Sequence, residues 1–134
     1  MSGILVDSNV LLDVIAHDKN WFGWSSEALV EAAEISRLVI NAIIYSEVSV
    51  RYSRIEDLEQ ALSKLLFDRE PIPFAAAFLA GKAHLAYRSR TGTKRFALPD
   101  FFVGAHAVIA GYQLLTRDPK RYRTYFPDIA LIAP

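Results

Sequence analysis

The chain has 134 residues, with 15 Lys or Arg balancing 15 Asp or Glu, 52% hydrophobic residues and no cysteine. That length suits one domain spanning residues 1–134 with a sizeable core, and the missing cysteines exclude disulfides and thiolate metal sites. No uninterrupted apolar run approaches the about 18 residues of a membrane span. No basic segment precedes the apolar Ile4–Val6, so no signal peptide is expected and a cytoplasmic location is the default expectation.

The zero net charge hides an asymmetry. Residues 1–80 hold 12 acidic and 6 basic side chains, whereas residues 81–134 hold 3 acidic and 9 basic ones. An anionic partner for the C-terminal part is one reading, and two halves of an ordinary solvated surface is the other.

Along the chain, Ile4-Leu5-Val6 is a short apolar run that ends at Asp7. Helical spacing follows over Ser8–Ala16, with Val10, Leu11 and Val14 on one face. Trp21, Phe22 and Trp24 precede a second helical pattern over Ser25–Ser36, for which Ser25 or Ser26 can serve as N-cap. The aromatic trio suits packing or a protein interface better than base stacking. Leu38-Val39-Ile40 reads as a buried strand, and Asn41 can cap a helix running to about Tyr52. Ile55–Phe67 is amphipathic, Pro71-Ile72-Pro73 breaks the chain, and Phe74 to about Ser89 is again helical. Thr91–Arg95 is a loop, and Pro99 suits a first helical turn. Phe101–Tyr112 is apolar enough to be a buried helix. Leu114–Thr116 and Ile129–Ile132 complete the strand candidates.

Short apolar strands alternating with helices predict an α/β fold, a mostly parallel central sheet between two helical layers. In such sheets the functional crevice lies outside the strand C-terminal ends. Four carboxylates fall near that edge. Asp7 follows the first strand, Glu47 lies on the helix after the second, Asp100 opens the buried helix and Asp118 follows the Leu114–Thr116 strand. Singly, each reads as a helix cap, a turn or a solvated position. Together they would repel unless cations or raised pKa values relieved them. All-oxygen donors select Mg²⁺ or Mn²⁺, and ions of that kind can activate water against a phosphodiester.

The ordered set resembles the PIN-domain ribonucleases, and within them the VapC toxins. The matching segments are Asp7-Ser8-Asn9, the stretch Ile40–Val48 with Glu47, Leu98-Pro99-Asp100 with Gly104–Ala107 behind it, and Leu114-Leu115-Thr116-Arg117-Asp118. The resemblance runs from Ile4 to Ile132 with no acidic position missing. It implies a PIN-like three-layer α/β/α sandwich. It also implies a Mg²⁺- or Mn²⁺-dependent endoribonuclease acting as the toxin of a toxin–antitoxin pair. Asp7, Glu47, Asp100 and Asp118 would form the metal pocket, with Asn9 and Thr116 orienting them. The implied partners are RNA, a cognate antitoxin and a second copy of the chain.

Arg88, Arg90, Lys94 and Arg95 precede Asp100, while Arg117, Lys120, Arg121 and Arg123 flank Asp118. Around an acidic crevice they would hold RNA through its phosphates. Lys82 is a weaker candidate. His17, His84 and His106 assemble into nothing, so water activated by a carboxylate-held ion is expected in place of a histidine base. Two other readings compete: a carboxylate-site phosphatase, which lacks a Lys directly after a strand, and a non-catalytic module that binds RNA or protein.

Overall fold

In the computed structural model, which describes residues 2–92 and 98–134, the apolar runs become strands. They are β1 (Ile4–Val6), β2 (Leu38–Ile40) and β4 (Gln113–Leu115), joined by β3 (Phe67–Arg69) and β5 (Leu131–Ile132). Every pairing is parallel, and the strand order is β3-β2-β1-β4-β5. Strands β1 and β2 are buried throughout, which explains why they read as unbroken hydrophobic runs. Strand β3 is an exposed edge strand whose Phe-Asp-Arg sequence carries no such signal. The expected helix over Ile55–Phe67 therefore stops short, as α4 (Ile55–Leu62), and its last residue opens β3.

The remaining helices are α1 (Ser8–Ile15), α2 (Phe22–Ile35), α3 (Ala42–Ser49), α5 (Phe74–Thr91), α6 (Pro99–Ala110) and α7 (Lys120–Tyr125). Helix α1 packs on α2 and α5 on α6, with α3 touching both α1 and α6, which gives the three-layer α/β/α arrangement. Helix α2 begins before the expected serines. Its N-cap is Trp21, without a side-chain bond, while Ser26 bonds back to the Phe22 carbonyl at 2.6 Å. Asn41 caps α3 as the sequence predicts, accepting from the Ile44 amide at 3.0 Å.

The chain steps outward from β1 through β2 to β3, then returns to the other side of β1 for β4 and β5. The direction of winding thus reverses between β1 and β4. The residues just beyond these two strands, Asp7 and Thr116, flank that switch point, where open α/β sheets bind their ligands.

Candidate active site

Asp7 leaves β1 and caps α1, its Oδ1 accepting the Ser8 amide at 2.8 Å. A cap of this kind stabilises a helix by about 1 kcal/mol. The other carboxylate oxygen carries more. Oδ2 of Asp7 accepts from the Thr116 hydroxyl at 2.9 Å and from the Tyr122 hydroxyl at 2.8 Å, with the Asn9 amide at 3.5 Å. The Asn9 amide also donates to Thr116 Oγ1 at 3.1 Å. The expected orienting residues, Asn9 and Thr116, thus meet at Asp7.

Asp7 is only 3% exposed and, among the described residues, has no cationic partner within ion-pair distance. Burial pushes its pKa up to about 6, nearby Asp100 pushes the same way, and the hydroxyls of Tyr122 and Thr116 hold it down. Glu47 is shifted upward too, first by burial and then by Asp7 and Asp100, against the bond it accepts from Ser8 Oγ at 3.0 Å. Ser8 is therefore the link that draws α3 toward the Asp7 carboxylate.

Asp100 sits in the first turn of α6 behind Pro99, and Asp118 follows Thr116, to whose Oγ1 its amide donates at 3.2 Å. Asp7, Asp100 and Asp118 line one cavity of about 610 Å³. Glu47 stands at its side. Among the described residues no three acidic or histidine side chains converge closely enough to cage an ion by themselves. Asp100 instead pairs with Arg121, Oδ2 to guanidinium at 2.8 Å.

The donor set nonetheless fits a hard divalent cation. The carboxylates are all-oxygen, mutually repelling and partly desolvated, and magnesium characteristically completes its shell with waters and substrate phosphates.

The basic residues divide. Arg90, Lys120 and Arg121 line the acidic cavity. Arg88 and Arg123 are exposed on α5 and α7, and Lys94 and Arg95 lie outside the described residues. Arg117 turns the other way. Its Nε donates to buried Asp13 at 2.8 Å, and its guanidinium lies 5.5 Å from the Trp21 ring. Ser25 Oγ bonds the same Asp13 oxygen at 2.6 Å, which accounts for a buried serine where a cap was expected. The Trp21 and Trp24 rings meet edge-on at 6.3 Å, so part of the aromatic trio serves packing.

His106 is buried, and its Nδ1 lies 3.0 Å from the Asn41 side-chain amide. Burial lowers its pKa, so the neutral ring takes that amide hydrogen and braces the α3 cap.

Two features of the site were missed in the sequence. Helix α7 is a run of Lys-Arg-Tyr-Arg-Thr-Tyr without apolar periodicity, and within it Tyr122 is almost wholly buried against Asp7. The only available hint was a tyrosine four positions beyond the last acid.

A parallel sheet with carboxylates gathered at its winding switch defines a class, the α/β domains whose site lies outside the strand C-terminal ends. The chain belongs to the PIN-domain family, whose model matches residues 4–127. Its fold is similar to a chain of a toxin–antitoxin complex from Klebsiella pneumoniae, at 25% identity and TM-score 0.64 over 95% of each chain. It is also similar to a chain of DNA-bound VapBC from Salmonella typhimurium (18% identity, TM-score 0.70, 99% and 98% covered). A third likeness is FitAcB from Neisseria gonorrhoeae (20% identity, TM-score 0.66, 96% of each chain). No curated protein matches by sequence. VapC-type PIN toxins are generally nucleases, and PIN nucleases in general use divalent metals. Among the described residues no helix is long and apolar enough to cross a membrane.

Proposed function

We propose that the protein is a Mg²⁺- or Mn²⁺-dependent endoribonuclease and the toxin of a toxin–antitoxin pair. The observation that carries this reading is the gathering of Asp7, Asp100 and Asp118 from three separate segments onto one cavity. Glu47 is tied in through Ser8. Asp7, Asp100, Glu47 and Asp118 would hold the metal, which supplies charge neutralisation and acidified water when bound.

The chain's own residues prepare that chemistry. Tyr122, Thr116 and Ser8 hold the Asp7 carboxylate in one orientation. Arg90 and Lys120 line the same cavity as the acids and would neutralise the phosphates of a bound RNA. Hydrolysis breaks one P–O bond, the water giving its hydroxyl to phosphorus and a proton to the leaving oxygen. No histidine at the pocket competes for the role of base.

The likeness to toxin–antitoxin complexes supports a proteinaceous antitoxin as partner. A homodimer is part of the same reading. Phe74, Phe78 and Leu85 lie exposed on α5 at positions i, i+4 and i+11, one stripe of a helix that a second copy would cover.

The test is incubation of the purified chain, freed of any antitoxin, with total RNA and either metal. Cleavage that chelation abolishes, and that Asp7→Asn and Asp100→Asn each reduce at least a hundredfold with the fold intact, is the expected result. RNA left whole with both metals would overturn the reading. Light scattering of the purified protein tests the dimer.

A further inference from the structure

Between β4 and α7 three successive side chains take alternate directions. Thr116 bonds Asp7, Asp118 lines the acidic cavity, and Arg117 between them turns onto α1 and α2. One face of α1 grips Arg117 twice. The Arg117 amide donates to Oδ1 of Asn9 at 3.3 Å, and its Nε donates to Oδ2 of Asp13 at 2.8 Å. Asn9 and Asp13 are at i and i+4, so they stand one above the other on that helix. Asp13 is buried and is itself held by Ser25 Oγ at 2.6 Å, while Trp21 at the head of α2 backs the guanidinium at 5.5 Å. Thr116 has its own tie to the sheet, its amide donating to the Ile132 carbonyl at 3.0 Å. Asp118 lies beyond that last sheet bond. Its carboxylate accepts no hydrogen bond among the described residues, and its amide is held by Thr116 Oγ1 at 3.2 Å.

We propose that Arg117 is a positioning residue of the cation site, fixing Asp118 relative to Asp7 through its grip on Asn9 and Asp13. The inference rests on the nuclease reading above and assigns to it a residue outside the cavity. Helix α1 starts from the Asp7 cap and carries both anchors, so it acts as a ruler between the first and last acids of the site. A planar guanidinium donating to a carboxylate fixes direction as well as distance. Without it the chain beyond Thr116 would pivot, and Asp118 would spend part of its time turned away from Asp7. An arginine whose Nε is committed to a buried carboxylate, and which does not line the cavity, is badly placed to meet a phosphate there.

The experiment compares Arg117→Lys, Arg117→Met and Asp13→Leu at a temperature where thermal melts show each fully folded. Calorimetry gives the Mn²⁺ affinity of RNA-free protein, and kcat and KM are taken on an RNA that the wild type cleaves. Each variant should lower Mn²⁺ affinity and kcat by about 10- to 100-fold, the range for groups that orient metal ligands, with KM within about threefold of the wild type. Asp13 is buried and lines no part of the cavity, so a defect in Asp13→Leu cannot come from a lost RNA contact. Arg117→Lys keeps the positive charge, so a phosphate contact would survive in it, whereas a clamp built on a planar guanidinium would not. A third readout needs no metal: hydrogen exchange at the Asp118 amide should quicken by about tenfold or more in Arg117→Lys. That variant carries the comparison if Asp13→Leu does not fold. A raised KM at unchanged kcat, with Asp13→Leu like the wild type, would make Arg117 a phosphate ligand and overturn the proposal. Lost stability with Mn²⁺ affinity, kcat and Asp118 exchange all unchanged would overturn it as well, leaving a pair that serves folding alone. If the wild type cleaves RNA and the variants match it, the positioning role fails and the nuclease reading stands. If the variants lose Mn²⁺ affinity and Asp118 protection but the wild type cuts no RNA with either metal, the nuclease reading fails and the positioning role stands.

Discussion

The hydroxyl of Tyr122 donates to Oδ2 of Asp7 at 2.8 Å, joining residues 115 positions apart in the chain. Thr116 shares that oxygen, while among the described residues Oδ1 receives only the Ser8 amide. One oxygen of Asp7 is therefore committed to the protein, and the other keeps a lone pair for a cation. Hydrogen bonds to a carboxylate favour its charged form. Tyr122→Phe deletes one such bond with little change of shape. Its expected cost, by urea denaturation at pH 8, is about 1.5–3 kcal/mol, the range for a hydrogen bond to a charged group. The acid limb of the RNA-cleavage profile should move to higher pH, because Asp7 will hold its proton longer. An unaltered profile would show that the phenol does not act on Asp7.

The same carboxylate sets a pH dependence of folding. Asp7 has a native pKa of about 6 against an ordinary 3.8, because burial penalises its charge. A carboxyl with a raised native value stabilises the fold below its unfolded pKa and loses that contribution as pH climbs through the native one. Two units correspond to roughly 2–3 kcal/mol. Metal-free protein should therefore lose about that much stability between pH 4 and pH 7 relative to Asp7→Asn, whose side chain does not ionise. Parallel denaturation curves for the two chains across this window would contradict the assignment. Divalent cation should restore the wild type at pH 7 and leave Asp7→Asn largely unaffected.

Arg121 occupies the electrostatic place a cation would take beside Asp100, at 2.8 Å. Both side chains are part-exposed, so the pair is worth about 1 kcal/mol or less. A divalent ion can displace it but must do so against that energy. Arg121→Ala should accordingly tighten Mn²⁺ binding about three- to fivefold by calorimetry, as loss of a pair of that strength requires. It should at the same time weaken RNA binding, since a cavity-lining cation is lost. Mn²⁺ affinity that falls in this variant would mean that Arg121 orients Asp100 for the metal and does not compete with it.

How much of this site was legible in the sequence depends on what each residue's signal was. Strands β1 and β2, and Leu114-Leu115 of β4, are apolar because both faces are covered, and Asp7 and Asp118 stand out as the first acids after β1 and β4. Asp100 stands out by heading an apolar helix. Strand β3 and helix α7 show no comparable pattern, since an exposed edge and a short polar helix need no apolar period. Arg117 shows the limit of composition. Among eight basic residues flanking the acids it reads as one more phosphate ligand, yet its partner, Asp13, lies 104 positions away. Pairings at that separation are products of the fold and leave no local trace.

That distinction has a measurable consequence. Asp13 is 3% exposed, and without Arg117 its side chain would retain, among the described residues, only Ser25 Oγ. Removing one partner of a buried ion pair leaves an uncompensated charge, so Arg117→Ala should cost roughly 2–4 kcal/mol. Arg90→Ala, at an exposed position on the cavity rim, should alter stability by about 0.5 kcal/mol or less while weakening RNA binding. The two arginines thus separate on denaturation. Equal, small stability losses would return Arg117 to the RNA-binding group.

Gly104 of α6 connects packing to the chemistry at Asp7. A Cβ there would lie 2.7 Å from Cε2 of Phe126 and 3.0 Å from Cδ1 of Tyr122. Phe126 and Tyr122 are both buried, so neither ring can move aside into solvent. Alanine gains about 1 kcal/mol over glycine from helix propensity alone, whereas overpacking a core costs about 1–3 kcal/mol. At these distances the steric cost should win, and Gly104→Ala should destabilise. Gly81 on α5 supplies the contrast, because a Cβ there meets nothing within 4 Å. Gly81→Ala should stabilise by up to about 1 kcal/mol. The displaced ring carries the hydroxyl that fixes Asp7, so Gly104→Ala should also lower cleavage at temperatures where the variant is fully folded. Full activity in that variant, at a stability equal to the wild type, would mean that the Tyr122 ring can shift without releasing Asp7.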